Sequence, residues 1–420
     1  MKLAGRAIAP GVARGRIVRN RPDLTPREAE GAILVAERAV PDDVPRIVAA
    51  AGTITGMAPP LSHVGLLSRE LGKPSVGLPR LDLLVEGAFV VVDGTRGVVV
   101  IGDGAEGTAS ETRTPEFRKL SPLPSSPPGP IDPRFVVPLA PGLARQDVGG
   151  KAAGLSAVMN QCRVPSGFVV TAAAYRRHIE GEVDEKLRRA SDSRHARAAI
   201  LASPVPGDVR NSIEAASREL SASRLAVRSS ATIEDGPQGT LAGLFDSRLG
   251  VSPASLVSSV RATWASLWNE RAIAYLGGFP SAACQAVLVQ AVVPTSPSGV
   301  FETDGDTVTV NAAWGLGEAI AQGEVAGDLF RLRASTGEIL SSEIVPAATW
   351  IVLDPNHPGT IEEPLPDELR GRPSLTTDQL ETLAAAARTL GPGRIVEWGF
   401  DDSGNLVVFQ VRRTVSRPGG

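Results

Sequence analysis

Residues 61–74 read LSHVGLLSRELGKP, and no other segment says as much about this chain. Val64, Leu67 and Leu71 recur at helical spacing, which predicts a helix that begins near His63. Because a Gly- and Pro-rich loop precedes it, the imidazole would lie beside the free backbone N–H groups of a helix start. Such a place suits a group that accepts a phosphate, although a capping or partly buried histidine is the ordinary interpretation of the segment alone.

The other histidines and the two cysteines offer less chemistry. The remaining histidines, His178, His195 and His357, lie in Arg-rich or Pro/Asn-containing surroundings, which are typical of the surface. Cys162 and Cys284 are far apart and form no CxxC pair, so neither a disulfide framework nor a zinc site is expected. Both cysteines are expected to be small buried apolar residues.

Composition indicates an ordinary soluble protein of two or three domains, with 420 residues of which 42% are hydrophobic. A net charge of −3 gives no electrostatic reason to expect nucleic acid or an anionic membrane as partner. The sequence shows neither the apolar core of a signal peptide nor a stretch long enough to cross a bilayer. A cytoplasmic protein is therefore expected.

Residues 1–102 are predicted to form a compact α/β unit, and residues 103–133 a linker. The linker is dense in Pro, Ser, Gly and Thr and would have a root-mean-square span of roughly 30 Å, so the first unit could move. The predicted strands of the first unit are residues 7–18, 32–35, 53–55, 89–92 and 97–101, with helices at residues 42–51 and after His63.

Residues 134–420 are predicted to form a larger domain. Its middle, residues 182–222, is polar and mostly helical. Its other predicted elements are a strand at 135–139, a Gly-rich turn entering a helix at 149–154, strands at 225–229 and 286–293, and a terminal hairpin of 394–400 and 406–412.

Two segments of this domain combine flexible backbone with a cation. Gly149 and Gly150 would offer backbone N–H groups to a phosphate, followed by the ammonium of Lys151, although a helix-entry glycine pair remains the alternative. Arg228 ends a strand before a loop with Gly236, Gly239 and Gly243, which suits bidentate phosphate recognition; a strand-end salt bridge remains the alternative.

The terminal hairpin carries polar side chains within apolar strands. Alternation places Gln410 and Arg412 on one face, with Glu397 on the partner strand. A carboxylate and an amide oxygen are hard ligands suited to Mg²⁺, and an arginine can hold a transferring phosphoryl group. A solvated face remains the alternative. Whether the turn at residues 314–318 contacts a ligand stays open.

Taken together, these segments resemble the phosphohistidine-swivelling family that includes phosphoenolpyruvate synthase, pyruvate phosphate dikinase and rifampin phosphotransferase. Residues 1–102 resemble its mobile histidine domain, and residues 134–420 its ATP-grasp nucleotide domain. The matching stretches are residues 10–15, 62–63, 69–77, 149–151, 164–168, 227–235, 242–243, 289–290, 298–300, 314–318 and 397–398, with Gln410 and Arg412.

The resemblance implies a role for each candidate residue. His63 would be the phosphoryl-carrying nucleophile, and ATP and Mg²⁺ the cofactors. The remaining implied roles are phosphate binding by Lys151 and Arg228, a loop over the nucleotide with Gly243 and Ser247, an adenine-contacting strand with Gln290, metal binding by Glu397 and Gln410, and a catalytic phosphate contact by Arg412.

Three departures from the family pattern matter. The histidine domain comes first here, whereas in those relatives it follows the nucleotide domain. Ala58-Pro59-Pro60-Leu61 replaces the glycine pair and threonine that usually lead into the histidine. No room is expected for the pyruvate-binding or drug-binding third domain.

The expected function is an ATP-dependent, dikinase-type phosphotransferase that charges His63 and releases AMP and phosphate. The acceptor would be a small metabolite or a site on a separate substrate-binding subunit. Alternatives are a subunit of a split phosphoenolpyruvate synthase-like enzyme and a non-catalytic nucleotide-sensing phosphocarrier. An ATP-grasp ligase would leave His63 without a task.

Overall fold

The computed structural model describes residues 1–56, 60–102, 135–234, 243–317, 320 and 327–414. The predicted linker at residues 103–133, and Gly236 and Gly239 of the predicted loop, lie outside these ranges. Within them, the helices are α1 (Val44–Ala49), α2 (His63–Glu70), α3 (Arg145–Ser156), α4 (Ala172–Ile179), α5 (Glu182–Arg189), α6 (Ser193–Ala202), α7 (Gly207–Leu220), α8 (Leu256–Ser266), α9 (Glu270–Leu276) and α10 (Thr377–Leu390).

The strands in the first hundred residues form one eight-stranded sheet, in the order β1-β8-β7-β3-β4-β5-β6-β2. They are β1 (Lys2–Ala4), β2 (Arg6–Ala9), β3 (Val12–Arg19), β4 (Ile33–Ala36), β5 (Gly52–Thr55), β6 (Ser75–Gly77), β7 (Phe89–Asp93) and β8 (Val98–Ile101). Strands β3 to β6 run parallel. Because parallel neighbours need a crossover, α1 connects β4 to β5 and α2 connects β5 to β6.

Two predictions for this region were only partly right. The strand expected at residues 7–18 is two strands, because Pro10 lacks a backbone donor and Gly11 takes a φ of 117°, which turns the chain. The helix expected at residues 42–51 begins as a 3-10 turn at Pro41–Asp43 and continues as α1. The helix at His63 is confirmed.

The later residues form a five-stranded sheet, a six-stranded sheet and a two-stranded hairpin, all antiparallel. The five-stranded sheet has the order β12-β11-β13-β10-β9 and the six-stranded sheet the order β17-β16-β15-β14-β20-β21, with β18 paired to β19. Their bounds are β9 (Val136–Pro138), β10 (Gly167–Val170), β11 (Leu225–Ala231), β12 (Ser247–Val251), β13 (Gln285–Ala291), β14 (Ser298–Asp304), β15 (Thr307–Ala313), β16 (Asp328–Arg333), β17 (Ile339–Glu343), β18 (Thr349–Leu353), β19 (Thr360–Pro364), β20 (Arg394–Phe400) and β21 (Leu406–Arg413).

The mixed α/β class is confirmed, as are the terminal hairpin and the helical character of residues 182–222. No helix within the described ranges combines the length and the hydropathy that a membrane span requires.

Helices α1 and α2 pack against the later part of the chain. One continuous apolar cluster contains Ile47 and Leu67 together with Trp264, Trp268 and Ala272. Since burial of such side chains is the main favourable term in folding, this cluster holds the histidine-bearing helix against the other sheets.

Polar contacts cross the same interface. Arg69 Nη1 lies 2.8 Å from Glu302 Oε2, and Tyr275 donates a hydrogen bond of 3.1 Å to Glu70 Oε2. Arg271 pairs with Asp42 at 3.3 Å, although the Asp42 carboxylate is largely exposed. These polar contacts add to the apolar cluster that joins α1 and α2 to the later part of the chain.

His178 corrects an expectation, because it is buried, with only 3% of its surface exposed. Its ring stacks on Trp264 with a centroid distance of 4.8 Å, and Nε2 lies 3.3 Å from the Ile200 carbonyl oxygen. Burial is the main cause that lowers the pKa of this imidazole. Cys162 and Cys284 are free thiols that are partly rather than fully buried, and burial raises the pKa of each.

Helix α3 contains a kink at Gly149, which has a φ of 74° inside an otherwise helical segment. A Cβ at this position would lie 1.7 Å from the carbonyl oxygen of Ser230. The glycine therefore allows the helix to lie directly against the end of β11.

We predict that Gly149→Ala lowers the free energy of unfolding by about 3 kcal/mol or more, since it combines backbone strain with a collision. Gly142→Ala is the matched control, because Gly142 has a φ of 85° with no atom within 4 Å of the added Cβ. Its cost should be about 1–2 kcal/mol. Urea denaturation of both variants measures the difference; equal costs would contradict the packing role of Gly149.

Candidate functional site

One cavity of about 430 Å³ collects the candidate residues. This volume lies within the range of roughly 300–1,000 Å³ that is usual for small-molecule sites. Nine candidates from the sequence line it, namely His63, Lys151, Arg228, Gly243, Ser247, Gln290, Glu397, Gln410 and Arg412. The fold thus brings together His63 from the first hundred residues, Lys151 from α3, and residues from three strands of the five-stranded sheet and two strands of the six-stranded sheet.

His63 is the first residue of α2 and follows the N-cap Ser62, whose hydroxyl accepts a 3.4 Å hydrogen bond from the Gly65 amide. The imidazole is 3% exposed and packs against Gly243. A Cβ at Gly243 would lie 2.0 Å from His63 Cδ2 and 2.2 Å from Nε2. The absence of a side chain at Gly243 is therefore what lets the ring reach the cavity.

Glu397 lies at the centre of a charged network. Its Oε1 accepts a 2.6 Å hydrogen bond from Arg412, and its Oε2 accepts one of 3.0 Å from Arg228. The same Arg228 Nη2 donates to Gln410 Oε1 at 3.1 Å, and Gln410 is the cross-strand partner of Glu397. The amide, the carboxylate and two guanidinium groups thus occupy one patch of the cavity wall.

The ionisation of Glu397 follows from this network. Burial by itself raises the pKa of the carboxyl group, but Arg412, Arg228 and Lys151 lower it by more, so the pKa lies below its ordinary value of 4.5. The carboxylate is charged at neutral pH and compensates part of the local positive charge.

Lys151 projects into the cavity from α3. It is 7% exposed, and its Nζ donates a 2.9 Å hydrogen bond to the hydroxyl of Ser229. Nζ also forms an ion pair with Glu234, which is 1% exposed. The sequence reasoning missed Glu234, because an acid just beyond the end of a strand, followed by Asp235 and Gly236, is ordinary for a solvated loop.

For the glycines beside Lys151 the structure favours the helix-entry alternative, since neither glycine lines the cavity. A Cβ at Gly150 would lie 2.3 Å from the Glu234 carbonyl oxygen, and a Cβ at Gly149 would collide with Ser230. The glycine pair serves the close packing of α3 on the end of β11. Within this segment, only Lys151 faces the cavity.

Apolar residues also line the cavity, including Ala226, Leu249 and Val292. Gln290 lines it from β13, and its Nε2 donates to the Pro165 carbonyl oxygen at 3.1 Å. Ser247 lines the cavity as the first residue of β12, opposite Arg228, and so stands in a strand instead of the expected loop. A cavity that is lined by both apolar side chains and cations suits a nucleotide base with its phosphates.

The oxygens of Glu397 and Gln410 fit a magnesium ion in type, since Mg²⁺ prefers hard oxygen donors and keeps several water or phosphate ligands. The described parts of the chain hold no cluster of three or more His, Cys, Asp or Glu side chains. Leu316 and Gly317 also line the cavity, whereas Glu318 of the same predicted turn is outside the described residues.

Comparison with known families gives two matches. The pyruvate phosphate dikinase AMP/ATP-binding domain matches residues 145–418, which is more than half of the chain. The mobile domain of PEP-utilising enzymes matches residues 28–97.

Curated relatives agree with these matches. A prodigiosin synthesizing transferase, PigC, from Serratia marcescens is 33% identical over 65% of this chain and 32% of its own length. A rifampicin phosphotransferase from a Streptomyces species is 34% identical over 66% and 35%. A phosphoenolpyruvate synthase from Aeropyrum pernix is 35% identical over 52% and 31%. The chain spans about a third of the length of these relatives.

Among solved structures, the holo form of aconitase X from Thermococcus kodakaraensis is 23% identical over 24% of this chain and 99% of its own. The TM-score of 0.21 is too low to support an argument.

We predict that Glu397→Gln lowers the free energy of unfolding at pH 7 by about 1–3 kcal/mol, because two guanidinium groups lose their charged partner. The pKa of Glu397 is lower in the folded than in the unfolded protein. The contribution of this carboxylate to the free energy of unfolding is therefore complete above pH 4.5, and it is lost as the pH falls through the pKa of the folded protein.

Denaturation of wild type and Glu397→Gln between pH 3 and 7 measures this contribution. The difference between the two proteins should shrink as the pH falls below about 4.5. A difference that stays constant over the whole range would show that the charge of Glu397 does not stabilise the network.

Proposed function

Since the chain belongs to the family of the pyruvate phosphate dikinase AMP/ATP-binding domain, we propose that it is an ATP-dependent phosphotransferase in which Mg-ATP phosphorylates His63. One observation carries the proposal: the imidazole of His63 packs on Gly243 in the cavity that Lys151, Arg228 and Arg412 line. A nucleophile and a phosphate-binding set from distant parts of the chain share one site.

The charges of the site suit the reaction. ATP carries about four negative charges, so transfer requires cations that spread the charge over the phosphates. Arg228 now pairs with Glu397 and Gln410. The phosphate chain of ATP would offer Arg228 a further anionic partner, and the oxygens of Glu397 and Gln410 would hold Mg²⁺, which would supply further charge neutralisation.

In the proposed reaction the neutral imidazole attacks the β-phosphorus, so a nitrogen–phosphorus bond forms as the α–β phosphoanhydride bond breaks and AMP leaves. Water then cleaves the β–γ phosphoanhydride bond, which releases inorganic phosphate, and a proton passes to solvent. By analogy with the family, the β-phosphate stays on the protein. The net change is His63, ATP and water giving phospho-His63, AMP and inorganic phosphate. Lys151, Arg228 and Arg412 orient the phosphates, and burial of His63 limits the access of bulk water to the site.

We further propose that residues 1–102 form a mobile domain, residues 103–133 its linker, and residues 134–420 an ATP-grasp nucleotide domain. The match of residues 28–97 to a mobile domain supports this division. The described arrangement then corresponds to the charging position of His63. The acceptor would be a small metabolite or a site on another polypeptide.

The first test is labelling with ATP that carries ³²P in either the β- or the γ-phosphate. We expect acid-labile, alkali-stable label from β-labelled ATP on the wild type, and at least a hundredfold less on His63→Ala. His195→Ala is the matched control, because His195 is exposed and its ring hydrogen-bonds to Ser191 and Asp192 near the surface. Unchanged labelling of His63→Ala would sink the proposal.

A second test concerns the contact between His63 and Gly243. We predict that Gly243→Ala slows labelling by more than tenfold, because the added Cβ would overlap the imidazole. Gly277→Ala is the control: its φ of 67° matches the 66° of Gly243, but no atom lies within 4 Å of the added Cβ.

Both glycine variants bear the same backbone strain, so only the collision with His63 differs between them. Labelling that falls equally in the two variants would show that the contact between His63 and Gly243 is not used in the transfer.

A further inference from the structure

We propose that Glu234 is a positioning residue for ATP: it holds the ammonium group of Lys151 at the cavity and acts only through Lys151. This inference rests on the proposed function of the cavity. Glu234 itself does not line the cavity, whereas Lys151 does. Glu234 therefore stands behind the cation that would contact the phosphates.

Glu234 is fixed in place by several contacts. One carboxylate oxygen pairs with Lys151, and the other accepts a 2.7 Å hydrogen bond from the Ala231 amide. The Glu234 carbonyl oxygen accepts a 2.9 Å hydrogen bond from Arg145 Nη1. Because both the side chain and the backbone of Glu234 are held by hydrogen bonds, Lys151 has a rigid partner.

The burial of Lys151 explains why its ammonium group needs a charged partner. Lys151 is almost fully buried in a cavity that also holds Arg228 and Arg412, with Glu397 already paired to both guanidinium groups. An ammonium group in such a place is costly unless a counter-charge is close. Ser229 offers only a neutral hydroxyl, so Glu234 is the carboxylate that stabilises the charge on Lys151.

The geometry leaves one donor for the ligand. An ammonium group has three N–H donors. Lys151 uses two of them, on Ser229 Oγ and on Glu234 Oε1, and the third can meet a phosphate oxygen in the cavity. The glycine pair before Lys151 makes this possible, because a Cβ at Gly150 would lie 3.0 Å from the Glu234 Cβ and 2.3 Å from its carbonyl oxygen.

The test is a double-mutant cycle of Glu234→Gln, Lys151→Met and the double variant in the full chain. The ATP dissociation constant and the rate of His63 labelling at saturating ATP are measured for each protein. We expect Glu234→Gln to weaken ATP binding about tenfold with less than a threefold change in the saturating rate. In the Lys151→Met background, Glu234→Gln should have no further effect on ATP affinity.

Two further variants separate positioning from general stability. Asp328→Asn removes another buried carboxylate, which binds Val345 and Ser374 away from the cavity, and should lower stability without changing ATP affinity. Glu234→Asp keeps the charge and should retain more affinity than Glu234→Gln, which also provides a readout if the glutamine variant folds poorly.

The outcomes distinguish this inference from the proposed function. If wild-type His63 is labelled, two results overturn the role of Glu234 alone. One is an unchanged ATP affinity in Glu234→Gln. The other is that Glu234→Gln lowers ATP affinity equally in the wild-type and Lys151→Met backgrounds. Failure of the wild type to bind ATP or to be labelled overturns both.

Discussion

The carboxylate of Glu397 is the group on which the site depends, because it lets two arginines share one cavity wall. Arg228 belongs to the five-stranded sheet, whereas Glu397, Gln410 and Arg412 belong to the six-stranded sheet. The ion pairs therefore also join two sheets, and Arg228 adds a hydrogen bond to the Phe409 carbonyl oxygen. The network that joins the two sheets also places cations along the cavity, where they can bind an anionic ligand.

A second acid completes the distribution of charge. Glu234 compensates Lys151 from outside the cavity, as Glu397 compensates the arginines from within it. Each buried cation has a partner, so the site can hold positive charge without ligand and still attract phosphate. Such preorganised charge is an effective way to stabilise a transferring phosphoryl group, since the site needs little rearrangement when negative charge develops in the transition state.

The position of His63 depends on a different kind of interaction. Helices α1 and α2 lie on the later part of the chain mainly through apolar packing, and partly exposed ion pairs such as Arg271–Asp42 contribute little energy. Specificity of docking comes instead from shape at Gly243, where only a glycine leaves space for the imidazole. A small change in packing would therefore move the nucleophile away from the phosphates.

Regular local patterns were predictable and long-range contacts were not. The terminal hairpin follows from alternation with a period of two, which also places Glu397 opposite Gln410. The surface expectation for His178 was wrong, because charged neighbours on a helix do not reveal which face a residue occupies. The ion pair of Lys151 with Glu234 spans 83 positions of sequence, and no local signal marks it.

The sequence by itself determined the chemistry on offer: a histidine at a helix start, cations near glycines, and a carboxylate and amide on one hairpin. It also determined the family, since those residues occur in a recognisable order. Only the tertiary structure decided that His63 meets Gly243, that the glycine pair packs against β11, and that Glu234 supports Lys151. Periodicity reports the face of one element, whereas contacts between distant residues exist only once the sheets and helices have packed.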